Sequence, residues 1–189
     1  MKNNYNEYKK MISGEEYIED SFLFEMLLEN KKLMDEYNRC DIVAIDKRKE
    51  ILKKLLGEID KSADVLPPFS CDYGKHILIG KNSFINHNCT ILAQGKVTIG
   101  SNVRIAPNVS IYTIGHSENP KKRKHGYCYA KEVNIKDNVW IGGNVIILPG
   151  VTIGENSIVG AGSVVNKDIP KNVIAAGNPC GIIRYIKNE

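Results

Sequence analysis

From Ile77 onward, branched apolar residues return every six positions. Val97, Val103 and Val109 form one series, and Ile99, Ile105 and Ile111 follow each member by two. Val133, Val139, Val145 and Val151 resume it, with Ile135, Ile141, Ile147 and Ile153 in step and Val159 and Val165 continuing. A helix repeats every 3.6 residues and a strand every two, so a period of six fits neither alone. It fits short strands joined by corners, in which residues i and i−2 share the inward face. One such turn cannot bury its own apolar face, so the pattern predicts a stacked coil with a continuous interior. Ile111 to Ile135 is 24 positions, four sixes, so the frame survives an interruption. Upstream, Ile79, Ile85 and Ile91 keep the spacing, but Ile91 to Ile99 is eight. Two extra residues therefore sit near Ala93–Lys96.

Small residues recur just after inward positions, at Gly100, Ala106, Gly142, Gly154 and Gly160. Crowded corners call for them, and bends that need positive φ favour Asn or Gly, which suits Asn82, Asn102, Asn108, Asn138 and Asn156. The start of the chain has a different period. Phe22, Met26, Leu27, Leu33, Met34 and Tyr37 lie on one helical side, and Asp20 or Ser21 can cap that helix. A second helix is expected in DIVAIDKRKEILKKLLGEI, opened by Asp41, with Ile45, Ile51, Leu52, Leu55 and Ile59 inward. Pro67 and Pro68 forbid further helix. The expected organisation is a helical segment over 1–60, a connection over 61–76, and a coil over 77–189 with a loop at 115–132 and a C-terminal tail. The fold class is mainly β.

Composition narrows the class. Of 189 residues, 42% are hydrophobic and 25% charged, the balance of a soluble globular protein. No apolar run approaches the ~20 residues of a membrane span, and MKNNYNEYKK lacks the apolar core of a secretory signal. Five cysteines without CxxC spacing argue against a disulfide framework and for a cytoplasmic location. A net charge of +4 gives no case for a nucleic-acid partner, and no membrane partner is expected.

The repeat breaks at Ile114-Gly115-His116, and SENPKKRKHGYCYAKE leaves the scaffold as an excursion. Long loops on rigid scaffolds often carry function. Histidine suits acid–base work because its reference pKa of ~6.5 lies near neutrality. His76, His87, His116 and His125 are all candidates, with packing or surface roles as the common alternative. Cys89 falls at an inward position and reads as a small buried hydrophobe. Nothing in the spacing of Cys89 or Cys128 marks an acyl-carrying nucleophile.

CDYGKHILIG, FINHNCTIL, VTIGSNVRIAPNVSIYTIGH, DNVWIGGNVIILPGVTIGENSIVGAGSVVNKDIP and AAGNPCGIIRYI, with ISGEEY in the leader, resemble the maltose and galactoside O-acetyltransferases. These belong to the hexapeptide-repeat acyltransferases, and the resemblance covers nearly the whole chain. It implies a left-handed parallel β-helix, a homotrimer with sites between subunits, and acetyl transfer from acetyl-CoA to a sugar hydroxyl without a metal. His116 matches the general base and Asn86 the residue contacting the reacting hydroxyl. Glu19, Asp72 and Gln94 match acceptor contacts. Asp20 competes with Glu19 for the leader position, and Gln94 stands where relatives often have aspartate. Gly143 matches the backbone N–H that stabilises the oxyanion. Ala161, Asn166, Lys167 and Arg184 match coenzyme contacts. Gly181 replaces a common arginine, and Trp140 lies near the donor path. Lys121-Lys122-Arg123-Lys124 reads as a solvated run that could also attract phosphate.

Three other functions fit parts of the pattern. A non-sugar alcohol such as an antibiotic could be the acceptor, which a substrate panel decides. A noncatalytic trimeric scaffold would not bind acetyl-CoA. A zinc lyase on the same coil would need three protein ligands around an open position, which the histidine spacings do not reproduce.

Overall fold

The computed structural model describes residues 6–187. Three helices open the chain: α1 (Asn6–Ser13), α2 (Ser21–Arg39) and α3 (Ile45–Leu55). Asp20 caps α2, its Oδ1 accepting from Leu23 N at 2.9 Å, as expected of a side-chain oxygen at that position. α3 starts four residues later than Asp41. That carboxylate closes a local turn instead, accepting from Val43 N at 3.1 Å, and Ile45 is left 55% exposed.

The rest is a parallel three-sided β-solenoid. The first face carries strands 58–59, 77–79, 97–99, 133–135 and 152–153. The second carries 64–65, 84–85, 104–105, 140–141, 158–159 and 173–176, and the third 69–72, 89–92, 110–112, 146–147 and 164–165. Stacked partners such as Ile79 with Ile99 and Ile135 with Ile153 are 20 and 18 residues apart, so three hexapeptides make one turn. The valine and isoleucine series fill the interior: Val97, Val103, Ile111, Val133, Ile141, Val145, Ile147, Ile153, Val159 and Val165 are each at most 2% exposed. Asn82, Asn102, Asn138, Asn156 and Asn172 occupy one corner with φ of 55–62°. Their side-chain amides bond one to the next up that corner at 3.3, 3.2, 3.0 and 2.8 Å.

The boundaries expected from sequence need one correction. Residues 61–76 are not a connection: 58–59, 64–65 and 69–72 pair in parallel with 78–79, 84–85 and 89–92 as the first turn. Ile59 belongs to that turn, since Gly57 follows the end of α3. The exposed edge of this turn would offer unpaired backbone groups, and α2 covers it. Asn38 bonds both Phe69 N and O at 2.9 and 2.8 Å. Asn30 donates to Cys71 O and accepts from Gly74 N, both at 2.7 Å, and Met34 Sδ accepts from Cys71 N at 3.1 Å. Spaced by four, these three residues share one side of α2. Arg48 of α3 clamps Asp64 through two contacts at 3.0 and 2.9 Å.

At the other end, strand 173–176 turns back antiparallel onto 181–185. In the excursion, strand 114–116 pairs antiparallel with 128–130, with a short helix α4 (Pro120–Lys124) between them. Among the described residues, no helix is long and apolar enough to cross a membrane.

Candidate active site at two edges of the solenoid

The edge between the third and first faces is widened in three successive turns. The first turn inserts the 3₁₀ segment Gly74–His76, the second Ala93–Lys96, and the third the whole excursion. Thr113 braces the second insertion, accepting from Gly95 N at 2.8 Å and donating to Leu92 O at 2.7 Å. Asp72, Gln94 and His116 lie on this edge, one per turn. Asp72 is half-buried. Burial raises its carboxyl pKa, against which the charge of Lys31 and a hydrogen bond from Gln94 act. Gln94 is only 8% exposed, and its Oε1 has no hydrogen-bond partner among the described residues. With the amide nitrogen turned to Asp72, Oε1 is an acceptor in want of a donor.

His116 is exposed, on the strand that leaves the coil. Opposite it on the ribbon is Cys128, with Nδ1 and Sγ 3.3 Å apart. Tyr17 flanks Cys128 on the other side, each residue's N–H donating to the other's carbonyl at 2.9 Å. Gly115 leaves room for the Tyr129 ring, which lies where a Cβ would be. The leader thus adds a third extended segment and brings Glu19 alongside. Burial raises the pKa of the Tyr17, Tyr73 and Cys128 groups, and the negative charge of the exposed Glu19 adds to each shift. Glu16 ties the excursion down through Ser117 and Lys122. Sequence reasoning missed Tyr17 and Glu16 as site-forming residues. The only available signal was their place in ISGEEY, whose extended backbone is set by partners more than 100 positions away.

The remaining candidates lie elsewhere on the prism. Asn86, Gly143 and Ala161 all lie at the edge between the second and third faces. Asn86 Oδ1 accepts from His87 N at 2.9 Å, which leaves its NH₂ to donate outward. The N–H groups of Gly142 and Asn144 donate to Val159 O and Pro107 O, but that of Gly143 has no backbone partner among the described residues. Trp140, 54% exposed, stands out from the second face, and Gly181 and Arg184 sit on its exposed terminal strand. Asn166 and Lys167 return to the edge that carries His116. One copy therefore does not bring all the named residues together.

Of the other histidines, His87 is exposed beside Asn86. His76 is half-buried, stacks on Tyr73, and donates from Nδ1 to Ala93 O and Gln94 O at 2.8 and 3.1 Å. Burial lowers its pKa. His125 Nδ1 contacts Lys121 O at the end of α4. Among the described residues, no group of three His, Cys, Asp or Glu side chains is placed to hold a metal ion. Cys89 is buried inward, as its repeat position implied.

Residues 10–60 match the maltose acetyltransferase hexapeptide capping motif, 76–113 the hexapeptide repeat of succinyl-transferase, and 132–167 the bacterial transferase hexapeptide. The galactoside O-acetyltransferase of Escherichia coli K12 is 46% identical over 165 residues, covering 87% of this chain and 81% of that protein. A maltose O-acetyltransferase crystal structure from Clostridium difficile 630 superposes with a TM-score of 0.94 at 45% identity, covering 96% of this chain and 98% of that one. A galactoside acetyltransferase in complex with coenzyme A superposes at 0.92 with 42% identity, covering 96% and 91%. With a capping motif ahead of its hexapeptide repeats and these relatives matched along most of its length, the chain belongs to the maltose and galactoside O-acetyltransferase family of hexapeptide-repeat acyltransferases.

Proposed function

We propose that this acyltransferase moves the acetyl group of acetyl-CoA directly to a sugar hydroxyl, with His116 as general base, in sites shared between the subunits of a homotrimer. The observation that carries the reading is the placement of His116. It is an exposed imidazole on a braced ribbon, at the same solenoid edge as Asp72 and Gln94. The carboxylates of Asp72 and Glu19 accept hydrogen bonds, which suits a ligand with several hydroxyl donors. Asn86 and Gly143 lie across the third face, so a second copy is the natural source of these partners.

In this reading His116 takes the proton of the attacking hydroxyl while Asn86 Nδ2 donates to its oxygen. The unengaged N–H of Gly143 meets the thioester oxygen as it gains charge. Lys167 and Arg184 face the coenzyme phosphates, with Ala161, Asn166, Gly181 and Trp140 along the same path. His116 then returns the proton to the departing thiol. Replacing His116 with Ala should slow transfer by ~10²–10⁴-fold with the fold intact. Undiminished transfer by that variant overturns the assignment. A panel of alcohols read by thiol release settles the acceptor, and strong preference for a non-sugar alcohol would displace the sugar.

A further inference from the structure

Cys128 faces the proposed base from the opposite strand, and we propose that it is a positioning residue that selects the tautomer and orientation of the His116 imidazole. This rests on His116 being the base. The two residues are directly opposed in an antiparallel pair, so their side chains project from the same face of the ribbon. Their contact, 3.3 Å from Nδ1 to Sγ, is the only side-chain hydrogen bond of the His116 ring among the described residues. Neither partner can drift from it easily. Cys128 is held on its other side by the paired 2.9 Å bonds with Tyr17, and the ribbon is closed by Ile114 with Ala130 and Gly115 with Tyr129.

A neutral imidazole carries one proton, and the hydrogen bond made by one nitrogen decides which nitrogen has it. The Cys128 S–H is taken by Gly126 O, 3.5 Å from Sγ, so the sulfur lone pair accepts from Nδ1–H and Nε2 is left unprotonated for an incoming hydroxyl. The reverse arrangement, S–H donating to Nδ1, would put the proton on Nε2 and disable the base. Burial and the charge of Glu19 raise the Cys128 pKa, so the group beside the ring stays a neutral thiol. A thiolate there would trap His116 as an imidazolium. During transfer Nε2 gains the hydroxyl proton, Nδ1–H stays on Sγ, and Nε2 passes its proton to the coenzyme sulfur as the carbon–sulfur bond breaks. No bond to Cys128 forms at any stage.

Two-bond proton–nitrogen correlation spectra of the whole protein read the tautomer directly. The wild-type His116 should carry its proton on Nδ1. Cys128→Ala should move it to Nε2 and lower kcat about 3- to 10-fold, the worth of one modest hydrogen bond, with KM for acetyl-CoA unchanged. Cys128→Ser, which restores an acceptor, should recover the Nδ1 proton and most of the rate. Should the alanine variant not fold, Cys128→Val fills the same space without an acceptor and takes its place. An Nε2 proton in the wild type, or a Cys128→Ala or Cys128→Val protein with unaltered tautomer and kcat, overturns the proposal. Full activity in His116→Ala removes the base itself. Normal loss in His116→Ala with no effect at Cys128 defeats only the positioning role.

Discussion

Two nearly inactive variants, His116→Ala and Asn86→Ala, should regain activity when their subunits are mixed. His116 leaves the solenoid at the edge between the third and first faces, and Asn86 sits at the edge between the second and third. About five extended residues lie between those edges, which at ~3.3 Å each is roughly 15 Å. A filled core separates them, and if the imidazole and the amide serve one oxygen, as proposed, they cannot bridge that span within one copy. In a closed ring of three, each site would take His116 from one copy and Asn86 from its neighbour. Equal amounts of the two variants, unfolded together and refolded, give about three-quarters mixed trimers by random assortment. Every mixed trimer has one interface where both groups are intact, so about one quarter of all sites, and of wild-type activity, should return. Thiol release from acetyl-CoA with a working acceptor measures this, at a protomer concentration where light scattering reports the assembly. Activity equal to the mean of the separate variants, in a sample shown to contain both subunits per particle, would refute the shared site.

Asn30→Ala should destabilise the protein by about 2–4 kcal/mol, because it strips partners from the buried Cys71 O and Gly74 N, each costing about 1–3 kcal/mol when left unpaired. Urea unfolding at fixed protomer concentration reads the loss, and a change under about 0.5 kcal/mol would mean that α2 does not seal the first turn through this residue. Burial holds the His76 imidazole below its usual pKa, with the Ala93 and Gln94 carbonyls opposing. The unfolded chain therefore takes up a proton near pH 6.5 that the native chain resists, and stability should fall as pH drops from about 7 toward the native pKa, by at most about 1.4 kcal/mol per unit. His76→Gln cannot titrate and should flatten that slope; an unchanged slope would place the titration elsewhere.

The valine and isoleucine series made the coil legible because interior positions tolerate little besides branched apolar residues. The first turn escaped because its inward positions, Val65, Phe69 and Cys71 among them, are too varied to show the period, and two of its strands have only two residues. Its position was set by pairing with the next turn and by Asn30 and Asn38 of α2, both long-range effects. Tyr17 and Cys128 were hidden for the same reason: each lies in an extended segment whose partner is distant in the chain.

The slips in the period were more informative than the period itself. Cys71 to Ile79 and Ile91 to Ile99 are each eight positions, and Ile111 to Ile135 spans the excursion. Their inward residues stack in the same frame, so the two slips and the in-frame excursion fall on one edge of the prism. A regular corner is too tight to expose a functional side chain in a recess. Each insertion opens that corner and leaves a polar group in it: Asp72 in the first turn, Gln94 in the second, His116 in the third. The edge carrying Asn86, Gly143 and Ala161 keeps the uninterrupted period and offers chiefly backbone and amide donors. If His116 is the base and Asn86 and Gly143 are its donor partners, as proposed, the widened edge and the tight edge are the two halves of a transfer site, and only assembly can bring such surfaces face to face.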